Sequence, residues 1–361
     1  MKQKKSIKKI LLGIAVLLVL FLVLLSQSTF SFTANRFSAG DYRNIMAESI
    51  LGNPALVDVA MLGAHDALSG NIRRNNPGDT DPADGAVTNN PLVRALGGGL
   101  ITRLVRAQKS GAYELAVHGV RYFDIRVSWV GDDSIGGVWY TKHGYLSAPL
   151  EESILGLLRF LAEAGREVLV LDVQHAYTGE KTMEELLSFL FTGVSYGGRT
   201  LADYAGYDTR RPLGELRYRD MTASGSQIVV LAKAPFYPGS LHYQYEGAIR
   251  SVWHNQNTDK AMLAGIEEEY RTLLASPSLD RDKFRVNQAQ KTGITGNMLG
   301  SLFSWSLLDM AARFNRVLVN HDDFSVWLTT MPIFMVDYAD SMRGGFNDRV
   351  IAEINRFNGN L

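Results

Sequence analysis

The chain contains no cysteine. That excludes disulfides, thiolate zinc sites and a cysteine nucleophile, so any nucleophile or base must come from other side chains. The chain also carries no net charge, with 37 basic residues against 37 acidic ones. Binding nucleic acid through its phosphates needs a basic surplus, and there is none. Five lysines, Lys2, Lys4, Lys5, Lys8 and Lys9, stand in a leader without acids, so the rest of the chain has 32 basic and 37 acidic residues. An acid-leaning body is poorly suited to electrostatic adhesion to anionic lipid. No internal repeat is evident.

What is present begins with that leader. The lysines precede an unbroken apolar run of 16 residues, Ile10 to Leu25. A basic flank stays cytoplasmic, so the remainder is expected to be extracytoplasmic, either secreted or membrane-anchored. The run is long for the core of a signal peptide and short for a full span of about 20 residues. Residues 1–28 therefore read as a signal peptide or signal anchor, and 29–50 as a spacer. Residues 51–361 read as a single domain.

In that domain strand-like runs alternate with helical ones. A short helix is predicted from Asn35 to Glu48 and strand one from Val57 to Leu62. Asn71 to Pro91, rich in Asn, Asp, Gly and Pro, reads as a loop. Within it, 79–85 superficially resembles a calcium loop, but Pro82 and the spacing argue against one. Leu92 to Val117 reads as helix interrupted at Gly97, Gly98 and Gly99. Aromatic strands follow near 120–127 and 138–146. Further strands are predicted at Glu167–Val173, Gln227–Ala232, Phe284–Ala289 and Ile333–Val336. Helices are expected at Leu150–Ala162, Thr182–Phe191, Asp259–Leu274, Met298–Asn315 and Asp348–Phe357. Such alternation implies a parallel sheet with right-handed crossovers. This many units favours an irregular TIM-type (β/α) barrel, with the last strand beside the first.

The most informative stretch is GVRYFDIRV, beginning at Gly119. Asp124 and Arg126 are two residues apart, so they share one face of an otherwise apolar strand. Burying such charges is costly unless they are paired or used. Strand one ends in GAHDALSG, which places His65 and Asp66 just past Gly63. The run VWYTKHGYL delivers His143. Two histidines can serve as base and acid near neutral pH, and an arginine can grip a phosphate in bidentate fashion. Asp337 ends the last predicted strand, where barrel closure would bring it beside His65. Gln174 and Lys233 also follow strands and are expected near the barrel mouth. Trp253 and Tyr338 are expected to stack on a sugar face or lipid. His175 is expected on the opposite side of its strand from Gln174. His118, His242, His254 and His321 read as structural.

GAHDALSG, GVRYFDIRV, KHGYL and EVLVLDVQHAY, in this order, resemble the successive signatures of the phosphatidylinositol-specific phospholipase C X domain. The likeness is to its metal-independent bacterial members and to X-domain-only proteins, and it runs from about Leu51 to the C-terminus. The resemblance implies phosphodiester cleavage by intramolecular attack of the inositol 2-hydroxyl. It implies His65 as base, Asp337 orienting it, Arg126 on the phosphate and His143 as acid, with Asp66 and Asp124 supporting. Arg126 and Asp66 stand where calcium-using relatives have an acidic ligand and an Asn, so neither a metal nor another cofactor is expected. Expected partners are a phospholipid or other phosphodiester, and a membrane through the leader; no nucleic acid is expected. The insertion from Ala67 to Ser110 departs from the secreted bacterial enzymes and leaves the substrate open. Another glycerophosphodiester, a glycan-linked phosphate, or a membrane-anchored binding role without turnover remain as alternatives.

Overall fold

Past residue 50, the apolar runs within Leu169–Tyr177, Ile228–Ala232 and Ile333–Val336 become parallel strands, as expected for strands covered on both faces. A computed structural model describes residues 2–27, 36–38, 40–132, 136–292 and 306–361. Its ten strands form one sheet. They are β1 (Met61–Ala64), β2 (Val120–Asp132), β3 (Gly136–His143), β4 (Tyr145–Pro149), β5 (Leu169–Tyr177), β6 (Ile228–Ala232), β7 (Tyr243–Gln244), β8 (Ile249–Val252), β9 (Phe284–Gln288) and β10 (Ile333–Val336). Eight of them run parallel in the order β7-β6-β5-β2-β1-β10-β9-β8. That is chain order around a barrel, with β10 returning to β1. No ladder among the described residues joins β7 to β8, so the curled sheet stays open there.

Strands β3 and β4 depart from the expected architecture. They are not barrel strands but an antiparallel excursion. Strand β2 overshoots the barrel, pairing with β5 from Tyr122 to Ser128 and with β3 from Val127 to Asp132. The chain then folds back, so β3 delivers His143 to the mouth from above. Gly144, at φ +67°, makes the tight reversal into β4, a backbone conformation that disfavours other residues.

The insertion is more ordered than its composition implies. Helices span Pro82–Thr88 and Pro91–Val105, the second running through all three glycines. Asp79 and Asp81 engage a lysine. Buried Lys142 places Nζ 3.1 Å from Asp79 Oδ2 and 3.0 Å from Asp81 Oδ2. Asp79 N–H and Thr88 Oγ1 both donate to the Gly144 carbonyl, at 3.1 and 2.5 Å. The insertion thus grips the turn that carries His143.

Other boundaries shift modestly. The early helix is Ile45–Ser49, and the expected Met298–Asn315 helix is seen as Leu307–Val319, its predicted start lying outside the described residues. At the N-terminus, Lys2–Gln27 is one α-helix that packs against Pro91–Val105. Among the described residues no helix is long and apolar enough to cross a membrane.

At the base of the barrel lies a buried ion pair. Arg121 Nε donates to Glu167 Oε2 at 2.7 Å, and its other nitrogens donate to the Ala116, Val120 and Tyr42 carbonyls. Glu167 also accepts the Met46 and Ala47 N–H groups, pinning the Ile45–Ser49 helix. Removing one charge leaves the other buried and uncompensated. Glu167→Gln is therefore expected to cost about 3 kcal/mol of stability in urea unfolding. A midpoint within error of the wild type would show that the pair contributes nothing.

Candidate active site

The site is assembled by how closely β1 approaches β10. A Cβ on Gly63 would lie 3.1 Å from Met335 Cα, so any other residue would push the two strands apart by a few tenths of an ångström. Two residues later His65 leaves β1, and Asp337 leaves β10. His65 Nδ1 donates to Asp337 Oδ1 at 2.7 Å. The chain turns sharply just after each of them. Asp66 and Tyr338 take φ of +44° and +49°, a strained region for non-glycine residues.

Asp124 and Arg126 share the inner face of β2 with Tyr122. Arg126 is held on two buried carboxylates: Nε pairs with Asp66 Oδ1, and Nη2 lies 3.3 Å from Asp124 Oδ2. Nη2 also donates to His65 Nε2 at 2.9 Å. Asp124 Oδ2 in turn accepts the Asp66 N–H at 3.1 Å. His143 faces His65 across the mouth, with ring centroids 6.2 Å apart. Its Nδ1 lies 2.5 Å from the Val105 carbonyl and 3.1 Å from Asp66 Oδ2, which leaves Nε2 for proton transfer. The cavity between these groups holds about 380 Å³.

The charges in this cavity pull against one another. Burial disfavours an ionised Asp66, but Arg126, then His143, His65 and His175, outweigh it and hold its pKa at about 2. Burial likewise disfavours a charged His65, yet Asp66 and Asp337 outweigh both burial and Arg126 and raise its pKa to about 9. The Arg126 hydrogen bond requires a lone pair on Nε2, so it pulls the other way, toward a neutral ring protonated on Nδ1. Burial pushes Asp337 up, with His65 opposing. Beneath them, burial and then Asp124 push Asp172 well above the carboxylate range, and Tyr122 donates its hydroxyl to Asp172. His65, Asp66 and Asp124 present ligand atoms within 4.8 Å of one another, a spacing that suits a cation. Arg126 contacts all three, so a fixed guanidinium stands where such an ion would sit.

Of the outer candidates, Trp253 lines the cavity and donates Nε1 to Thr292 Oγ1 at 3.1 Å. Gln174 lies on β5, and its side chain falls outside the described residues. Lys233 is exposed, with Nζ 4.9 Å from the centre of the Tyr245 ring, and is not among the residues lining the cavity. Tyr338 corrects an expectation. It is buried and donates its hydroxyl to the Arg106 carbonyl at 2.6 Å, because the left-handed turn after Asp337 swings it away from the mouth. His175, not expected at the mouth, lines the cavity: the β2–β5 register steps from Asp124↔Asp172 to Arg126↔His175, and the extra β5 residue sets His175 opposite Arg126. Gln288 and Gln290, at the end of β9, also line the cavity. Sequence reasoning passed them over, although their place after a parallel strand was a signal.

The chain is thus an open, TIM-like parallel barrel with two histidines, an arginine and buried carboxylates at its C-terminal mouth. Comparison with known proteins extends this description. No protein-family model matches the chain. It is 32% identical over 135 residues to the variant-surface-glycoprotein phospholipase C of Trypanosoma cruzi, covering 36% of this chain and 35% of that protein. It is 25% identical over 209 residues to mouse PI-PLC X domain-containing protein 3, covering 57% and 64%. The chain thus spans about a third of the first relative and under two thirds of the second. In fold it is similar to a mutant of phosphatidylinositol-specific phospholipase C from Staphylococcus aureus, with TM-score 0.59 and 15% identity over 87% of this chain and 97% of that one. The enzyme from Listeria monocytogenes superposes with TM-score 0.52 at 14% identity, over 88% and 98%. In sequence the chain is similar to phosphatidylinositol phospholipase C X-domain proteins, and in fold to the bacterial phosphatidylinositol-specific phospholipases C.

The His65 pKa, raised above its ordinary value near 6.5, sets the sign of a stability effect. The stabilisation is complete below about pH 6.5 and is lost as pH rises through about 9. The melting temperature of the wild type, relative to His65→Gln, is expected to be highest at low pH and to fall between those values. A pH-independent difference would contradict a protonated, carboxylate-held His65.

Proposed function

We propose that this protein cleaves the phosphodiester of a phosphatidylinositol-type lipid by intramolecular attack. The observation that carries this reading is the cavity in which His65, Arg126 and His143 converge, with His65 held between Asp337 and Arg126 and His143 held through Nδ1. The neutral form of His65, which the Arg126 hydrogen bond to Nε2 favours, takes the proton of the inositol 2-hydroxyl on Nε2, with Asp337 orienting the ring from Nδ1. The freed oxygen attacks phosphorus as the bond to the glycerol oxygen breaks. Arg126, steered by Asp66 and Asp124, stabilises charge on the phosphoryl oxygens. His143 gives its proton to the departing diacylglycerol oxygen. The products are a cyclic inositol phosphate and diacylglycerol, and no metal is required because Arg126 supplies the positive charge. The name of the trypanosomal relative favours a second substrate of the same chemistry, a glycan-linked inositol phosphate on a lipid-anchored protein.

Phosphorus NMR of purified protein with phosphatidylinositol is expected to show a cyclic phosphate, with undiminished rate in EDTA. His65→Ala and His143→Ala are each expected to lower turnover by at least about 10². A leaving group of low pKa is expected to rescue His143→Ala in part and His65→Ala not at all. Turnover by either variant at the wild-type rate, or activity restored only by calcium, would sink the mechanism. Release of a lipid-anchored glycoprotein without cleavage of free phosphatidylinositol would favour the second substrate.

We further infer that the N-terminal helix holds the protein at a membrane, with the barrel extracytoplasmic. The support is a file of exposed apolar side chains from Ile10 to Phe21, behind a basic flank. In cells the full chain is expected to fractionate with membranes, and replacing Leu17 and Leu18 together by Asp is expected to release it. A wild-type chain found in the soluble cytoplasm would refute the assignment.

A further inference from the structure

The last residues of the insertion pass directly behind the site. Gln108 is fully buried. Its Nε2 donates to the carbonyls of His65, at 2.8 Å, and Val336, at 3.0 Å. Its Oε1 accepts the Ala339 N–H at 3.0 Å. The β1–β10 ladder ends just before this point, where the His65 N–H donates to the Val336 carbonyl at 3.0 Å. One side-chain amide therefore spans the gap where the two strands part, between His65 and the residues on either side of Asp337.

The neighbouring residues reinforce the bridge. The Ala107 carbonyl accepts the Tyr338 N–H at 2.7 Å, and the Arg106 carbonyl accepts the Tyr338 hydroxyl. Those bonds hold the left-handed turn that follows Asp337. Ser69 Oγ, which follows the His65 turn, accepts both the Ala107 and Gln108 N–H groups at 3.1 Å. Val105 contributes the carbonyl that meets His143 Nδ1 at 2.5 Å. Four consecutive residues thus touch the backbone under one histidine, the turn after its orienting carboxylate, and the ring of the other histidine.

We propose that Val105–Gln108 is a positioning strap that sets the two histidines against each other. Gln108 is the positioning residue for the His65–Asp337 pair, and the Val105 carbonyl orients His143. The catalytic consequence rests on the proposed phosphodiesterase reading; the geometric one does not. A strap of this kind makes the insertion a structural part of the site rather than a cover over it.

Two readouts test this on the full chain: the ring titration of His65 by NMR, and kcat and KM on phosphatidylinositol. In Gln108→Leu the His65 titration is expected to fall from near 9 toward its ordinary value near 6.5, as Asp337 loses its place. The kcat is expected to fall by up to about 10², the cost of roughly 1 Å of misplacement, with KM little changed. A purely structural glutamine would lower the melting temperature and leave the titration where it was. If Gln108→Leu does not fold, Ser69→Ala decides, with the same directions expected. An unmoved titration, or an unchanged kcat, in a folded variant overturns the proposal. A wild type inactive on phosphatidylinositol, with the titration still moved in the variant, would sink the functional reading and keep the strap.

Discussion

Arg126 is the group on which the site depends. Its guanidinium sits among Asp66, Asp124 and the free nitrogen of His65, all of them buried or nearly so. Without it, two carboxylates close together in a low-dielectric cavity would repel each other and take up protons. With it, Asp66 stays ionised and can face both histidines. Removing this one cation would therefore change the protonation of its neighbours as well as the grip on a phosphate. At the buried Asp172 the balance goes the other way, since burial and then the nearby Asp124 outweigh Arg126 and favour the neutral form.

Holding these charges in register needs two different backbone devices. The first is the close packing of β1 on β10 at Gly63, which pairs groups 272 residues apart in the chain. The second is the overshoot of β2 and the return of β3, which lowers His143 onto the mouth from outside the barrel. A strict (β/α) repeat offers side chains only from strand ends and loops that point upward. The antiparallel excursion adds a group that points back down, opposite His65. Lys142, clamped by Asp79 and Asp81, fastens that excursion to the insertion one residue before His143.

Much of this was legible in the sequence, for identifiable reasons. Strands buried on both faces read as apolar runs, so Ile228–Ala232, Phe284–Gln288 and Ile333–Val336 were found nearly to the residue, whereas β1 starts four residues later than expected and the short β7 and β8 were not expected. The pairing of His65 with Asp337 followed from barrel order alone. What escaped were features that break a period. A single extra residue in β5 shifted the register and set His175 opposite Arg126. A left-handed residue after β10 turned Tyr338 inward. The antiparallel sense of β3 was invisible because strand propensity carries no direction. The helix through Gly97–Gly99 ran against local propensity, and it lies along the N-terminal helix, a tertiary contact that no local window contains.

These misses share a cause that bears on how the site works. Alternation and propensity describe regular strands, whereas a site at a barrel mouth lies where strands end and the ladder no longer dictates position. There each backbone group needs a substitute partner, and here side chains supply it: Gln108 between β1 and β10, Ser69 under the strap, and Asn315, whose amide donates to the Asp337 carbonyl at 2.8 Å. Such residues are polar, buried and scattered through insertions and helices, so sequence patterning treats them as loop or surface. Their common property is geometric. Gln108 and Asn315 satisfy carbonyls at the ends of the diverging strands while Ser69 holds the strap, and together they convert the loose end of a sheet into a rigid frame for the two histidines.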